Sequence, residues 1–161
     1  MSTPSRWIDP SQYSSPDLVS AFDDLNVWGA PFGLLLLDTI RMRGTGAVLD
    51  IGCGTGFPLL EIADRLGPGK RVVGLDPWQA ALDRARAKAH TRGLAHVELI
   101  AGKAEDLPFP DATFDLVVSN NGLNNVAEPE RALAECARVA KPGAQLVLTA
   151  NLPASMRELY D

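Results

Sequence analysis

The sequence is poor in the residues that metal centres and disulfide frameworks require. It has two cysteines, Cys53 and Cys136, and two histidines, His90 and His96, among 161 residues. Two thiols cannot build a disulfide framework or a four-thiolate site, and the histidines stand at no zinc-ligand spacing to them, so no metal is expected. Long apolar runs are missing as well. The longest, Leu34 to Leu37, has four residues, against roughly 18–20 for a membrane span. Nor is there an excess of basic charge: fifteen Lys and Arg face twenty Asp and Glu, for a net charge of −5. Duplex binding draws most of its affinity from cations that displace counterions from phosphates, so nucleic acid is not the expected partner. The opening, Met1 to Pro10, lacks the charged-then-apolar layout of a secretory leader. The expectation is a cytoplasmic, acidic, metal-free domain with no membrane partner.

What is present is the composition of one globular domain, with 46% apolar and 22% charged residues. From Ala47 onward, short β-branched runs alternate with helical patterns. The strands are expected at Ala47–Ile51, Arg71–Leu75, His96–Ala101, Phe114–Ser119 and Gln145–Ala150. The helices between them begin at Pro58, run from Trp78 to Arg92, and run from Pro129 to Ala140. The last carries Ala132, Leu133, Cys136 and Val139 on one face and is stopped by Lys141-Pro142-Gly143. Such alternation predicts a parallel sheet wrapped by crossover helices, with ligands at the strand carboxyl ends. Before Ala47, Asp17–Leu25 and Phe32–Met42 read as two short helices capping those ends. Arg84-Ala-Arg-Ala-Lys88 reads as a solvated helix face.

The informative segment is Val48-Leu-Asp-Ile-Gly-Cys-Gly-Thr-Gly-Phe57. Gly52, Gly54 and Gly56, after a strand and before a helix, let the backbone turn tightly and approach a ligand without a Cβ in the way. A dinucleotide fingerprint wants its third glycine where Phe57 stands. Asp50 sets a carboxylate at the strand end that would repel a diphosphate and favour an ammonium group. Asp76, twenty-four residues after Gly52, closes the second strand and suits the two hydroxyls of a ribose. Trp78 offers a face to a purine. Together these describe a nucleoside joined to a cationic amino-acid tail. Cys53 reads as a small loop residue rather than a nucleophile, Cys136 as core, and His90 as a favourable charge at a helix end. The amides of Asn120 to Asn125 either orient a polar acceptor or simply form an Asn-rich turn.

Four stretches in order carry a resemblance: Val48 to Gly56, Asp76, Gly102 to Ser119, and Ala137 to Thr149. They are similar to class I S-adenosylmethionine-dependent methyltransferases, and more narrowly to the small-molecule branch called methyltransferase type 11. The resemblance implies a Rossmann-like, doubly wound α/β fold of three layers with strand order 3-2-1-4-5. It implies S-adenosylmethionine as cofactor and a small-molecule methyl acceptor. With Cys53 inside the glycine loop and Trp78 beyond the ribose acid, the cofactor-binding set is Asp50, Gly52, Cys53, Gly54, Asp76, Trp78, Ala104, Glu105 and Asn120.

The sequence departs from that family in three places. Lys103 stands where relatives often have an adenine-binding acid, which leaves adenine to backbone near Ala104 and Glu105. The loop after strand four has no histidine, so no catalytic base is identified; Tyr13 and Trp28 join the Asn loop as substrate-side candidates. The chain stops at Asp161, before the family's strands six and seven. It is therefore read as one truncated domain: a cap to residue 45, a core from 46 to 152, and the start of a further helix from 153. Strand five is left as an edge open to association. Two competing readings stand beside the methyltransferase: a non-catalytic S-adenosylmethionine-binding or regulatory protein, and, more distantly, a nicotinamide-dependent oxidoreductase.

Overall fold

The computed structural model describes residues 15–24, 29–42 and 44–150. Five parallel strands form one sheet: β1 (Ala47–Ile51), β2 (Arg71–Asp76), β3 (Val97–Ala101), β4 (Phe114–Asn120) and β5 (Ala140–Thr149), in the order β3-β2-β1-β4-β5. The order reverses between β1 and β4, and the crevice at such a reversal is where open α/β sheets bind ligands. The helices are α1 (Pro16–Asp24), α2 (Gly29–Thr39), α3 (Leu59–Leu66), α4 (Gln79–Thr91) and α5 (Pro129–Val139).

Alternation along the strands assigns the faces. Val48, Leu116 and Val118 meet Leu36 and Leu37 of α2, Ile40 just beyond it, and Ile62 of α3. Val72 packs with Leu59, Leu60 and Ala63 of α3 and with Leu82 and Ala89 of α4. The opposite face, Leu49, Ile51, Val73, Leu75 and Val117, takes α5 through Ala132, Cys136 and Val139. In α3 the apolar positions Leu59, Leu60, Ile62 and Ala63 fall on one side and are all buried. Burying each large side chain contributes about 1.5–3 kcal/mol relative to exposure. That stabilisation holds the start of α3 against β2 and against Cys53 in the turn after β1.

Three readings need correction. β5 begins at Ala140, not Gln145: α5 stops at Val139 and the chain enters the sheet at once, passing Lys141-Pro142-Gly143 as an irregularity where the register shifts from Phe114↔Ala140 to Leu116↔Gln145. Pro142 lacks an N–H to donate, and a bulge is where a sheet accepts that. Leu133 is 43% exposed, so the buried face of α5 is narrower than expected. Arg84 and Lys88 are not a free solvated face; both pair with Asp23 of α1.

The two N-terminal helices do different work. α1 lies against α4. α2 starts at the strand ends, where Asn120 Nδ2 donates to Gly29 O, and runs down the sheet to Thr39, which with Arg41 just beyond the helix meets Gln145 of β5. No helix among the described residues is long and apolar enough to cross a membrane.

Candidate functional site

The unusual residues converge at the carboxyl ends of β1, β2 and β4. Asp50 sits one residue before the end of β1, opposite Gly74 on β2 and Val118 on β4. It is fully buried, and neither carboxylate oxygen has a donor in hydrogen-bonding geometry. A buried carboxylate without partners is costly, and sites that keep one are built for something else to complete. Burial is the main reason the Asp50 carboxyl stands well above the ordinary range. The nearby Asp76 charge adds to this, and the Leu59 N–H at the start of α3 opposes it only in part.

Gly52, Gly54 and Gly56 all have positive φ. The loop folds back on β2, with the N–H groups of Gly52 and Cys53 donating to Leu75 O. Asp76 then ties it down: Oδ2 accepts from Gly54 N–H and Oδ1 from Trp78 N–H, both at 2.8 Å. These bonds only partly offset burial, which raises the Asp76 carboxyl above its usual value. Each oxygen keeps a further lone pair for a hydroxyl. Among the described residues, neither Asp50 nor Asp76 forms an ion pair with Lys, Arg or His.

The remaining candidates divide by what their side chains already do. Trp78 is half-buried, with the Phe22 ring 5.4 Å away, edge to face. Cys53 is buried, and its Sγ lies over Gly74, where a Cβ would meet it at 2.8 Å. Ala104 is buried in the α5-side core. Glu105 turns to the loop before α5, accepting from Ala127 N–H at 2.8 Å. Asn120 is engaged at both ends of its amide, by Gly29 O and by the Thr149 hydroxyl. Asn121 is left-handed, φ 59°, at the head of the short 3-10 turn Gly122–Asn125, and its Oδ1 accepts from Asn124. The Asn-rich stretch thus spends Asn120 on α2 and β5 and pairs Asn124 with Asn121 inside its own turn. Tyr13 and Trp28 lie outside the described residues.

Residues that the sequence reading missed are those acting through contact. Ser119 Oγ donates to Ile51 O and pins β4 to the end of β1. Gly122 lies against Gly52. Thr55, in the glycine loop, donates to Asp23 of α1. Arg138 binds Glu135, Asp111, and the carbonyls of Phe109 and Leu107, while Glu135 accepts from Leu107 N–H. This lashes the loop after β3 to α5. No spacing rule in the sequence singles out any of them.

A glycine turn, an unpaired buried carboxylate and a second acid at the end of β2 meet where the strand order of this Rossmann-like sheet reverses. Comparison with known proteins gives the family. The family model described as a methyltransferase domain matches residues 49–148. A demethylmenaquinone methyltransferase of Anoxybacillus flavithermus is 42% identical over 121 residues, covering 73% of this chain and 51% of that protein. An uncharacterised 37.1 kDa protein from a transposon of Streptomyces fradiae is 36% identical over 135 residues, covering 83% of this chain and 39% of its own length. Among solved structures, the 4+2 cyclase SpnF has a TM-score of 0.66 at 34% identity, covering 73% of this chain and 43% of that one. A SAM-dependent methyltransferase from Aquifex aeolicus has a TM-score of 0.71 at 28% identity, covering 83% and 71%. The chain belongs to the methyltransferase-domain family, with the class I fold and S-adenosylmethionine as the family's cofactor. It spans about half or less of the length of these curated relatives.

The residues fit that cofactor. The Asp50 carboxylate, orphaned and buried, matches a ligand ammonium. Asp76 retains acceptor capacity for ribose hydroxyls. The pair, with no basic partner among the described residues, suits a ligand bearing positive charge and no phosphate.

Proposed function

We propose that the protein transfers a methyl group from S-adenosylmethionine to a small-molecule acceptor. The observation that carries this reading is the buried pair Asp50 and Asp76, with no cation of the described chain to neutralise it. The cofactor supplies a methyl group on a cationic sulfur, already activated toward a nucleophile. The protein's part is then to hold, orient and exclude water. Asp50 balances the ligand's ammonium, Asp76 takes the ribose, and the glycine loop gives close backbone approach. An electron pair of the acceptor, from a heteroatom or an electron-rich ring carbon, forms the new bond to the methyl carbon as the carbon–sulfur bond breaks. The acceptor's proton leaves to solvent or to a base, for which the stretch Asn120 to Asn125 offers no titratable side chain.

The demethylmenaquinone methyltransferases at 42–44% identity make a hydroquinone, the reduced and nucleophilic form of a quinone, the first acceptor class to test. A second reading keeps the cofactor pocket without methyl transfer. It is favoured by the absence of a titratable group in that loop and by the similarity to a chain described as a cyclase.

Calorimetry with S-adenosylmethionine, S-adenosylhomocysteine and NAD, on wild type and Asp76→Ala, tests the pocket. Micromolar binding of the two sulfur nucleosides, lost in the variant, is the expected result. Binding of NAD instead would sink the reading. Product mass after incubation with demethylated quinones kept in their reduced hydroquinone form, and with simple phenols, separates the two functions: a gain of one methyl supports transfer, and binding without any gain supports the second reading.

A further inference from the structure

One carboxylate joins helix α1 to the cofactor loop. Asp23 Oδ1 accepts from Thr55 Oγ1 at 2.8 Å and from Lys88 Nζ at 2.7 Å, while Oδ2 accepts from Arg84 Nε at 2.9 Å. The Asp23 side chain is only 10% exposed, and Thr55 is buried between Gly54 and Gly56. The hydrogen bonds from Lys88, Thr55 and Arg84 outweigh burial and hold the Asp23 carboxyl below its ordinary value. The preceding residue, Phe22, stacks edge-on to Trp78, whose N–H is held by Asp76, the acid that also holds Gly54. Two consecutive residues of α1 therefore touch the glycine loop, through Thr55, and the segment after β2, through Trp78.

The glycine loop is the segment that most needs such support. Three glycines at positive φ give it a large conformational freedom to lose on ordering. A loop already ordered before the ligand arrives binds more tightly, because that loss does not fall on binding. The Thr55 hydroxyl is the loop's hydrogen-bonded link to α1, and Lys88 and Arg84 fix its acceptor from the far side.

We propose that Asp23 is a positioning residue: through the Thr55 hydroxyl it holds the glycine loop in its ligand-receiving shape, so that docking of α1 and occupancy of the pocket stabilise one another. The inference rests on the pocket being an S-adenosylmethionine site. Coupling of this kind is reciprocal, so ligand must also tighten α1.

The test combines calorimetry with S-adenosylhomocysteine and amide hydrogen exchange on wild type, Asp23→Ala, Thr55→Val, Thr55→Ser and the Asp23→Ala/Thr55→Val double variant. Asp23→Ala and Thr55→Val should each weaken binding on the order of tenfold. The double variant should be no worse than the worse single, since both remove one link. Thr55→Ser, which keeps the hydroxyl, should bind like wild type. Exchange at Gly52 to Phe57 should quicken in both single variants without ligand. Ligand should slow exchange across Pro16 to Asp24 in wild type and not in Thr55→Val. Thr55→Val leaves Asp23 paired with Arg84 and Lys88, so it remains decisive if Asp23→Ala loosens α1 itself. If wild type binds the nucleoside and Thr55→Val binds it equally well, or the two losses add, this proposal falls and the cofactor reading stands. If wild type binds neither sulfur nucleoside, both fall.

Discussion

The backbones of Gly52 and Gly122 touch. A Cβ on Gly52 would stand 2.6 Å from the Cα of Gly122, and one on Gly122 would stand 2.9 Å from the Cα of Gly52. The loops leaving β1 and β4 thus close on each other where the strand order reverses. Ser119, bonded to Ile51 O at 2.7 Å, fastens the same corner from below.

Gly122→Ala tests that contact. The new methyl would meet Ile51 O, Ser119 Oγ and Gly52 Cα, two of which are backbone atoms that cannot rotate away. Overpacking typically costs about 1–3 kcal/mol, and urea unfolding should place this variant at the upper end. Binding of S-adenosylhomocysteine should weaken too, because the glycine loop must move.

Asp50 gives a pH signature. Its carboxyl is raised in the folded state, so the folded protein holds that proton more tightly than the unfolded chain does. Stability from this group therefore falls as pH rises from the unfolded carboxylate value of about 3.9 through the raised folded value. Asp50→Asn removes the penalty. The difference in melting temperature, variant minus wild type, should grow in the variant's favour from pH 5 to 8, while cofactor affinity is lost. A difference that stays flat with pH would contradict the assignment.

Glu135 works in the opposite sense. Its bonds to Arg138 hold the carboxyl down to about 2. It therefore contributes stability above the unfolded value of about 4.3, lost as pH falls toward 2. Acid unfolding followed by circular dichroism should shift to higher pH in Glu135→Gln. Amide exchange at Leu107, whose N–H donates to Glu135, should quicken.

The two thiols should be silent in the folded protein. Cys53 and Cys136 are buried, and burial pushes both thiols up, Cys136 to about 11. A thiol-exchange reagent should react with neither at pH 8 until denaturant is added, and then with both. Rapid labelling of native Cys53 would mean that the glycine loop opens.

Much of the site's outline was legible in the sequence, because its parts are local. Asp50, Gly52 and Gly54 sit within five positions at a strand end, and Asp76 follows at the next one. A glycine turn reports its geometry through residue type, and an acid at a strand end reports a ligand chemistry. The helical extents of α3 and α4 were legible for the same reason, since their buried faces follow helical spacing. The start of β5 was not. Lys141-Pro142-Gly143 is a helix stop by local rules, and only pairing with β4 makes it part of a strand.

What the sequence determined by itself is the alternation of strands and helices, the glycine turn and the two acids at consecutive strand ends. Each follows from periodicity, backbone freedom or charge over a few neighbouring residues. What only the tertiary structure decided is which groups are already spent and which are waiting. Asn120 is tied at both ends of its amide, Glu105 is turned to the loop before α5, and Asp23 is drawn to Thr55, Arg84 and Lys88 from up to 65 residues away. Asp50 has neither oxygen bonded. Hydrogen-bond satisfaction depends on neighbours in space, and residue order does not specify them until the sheet has folded.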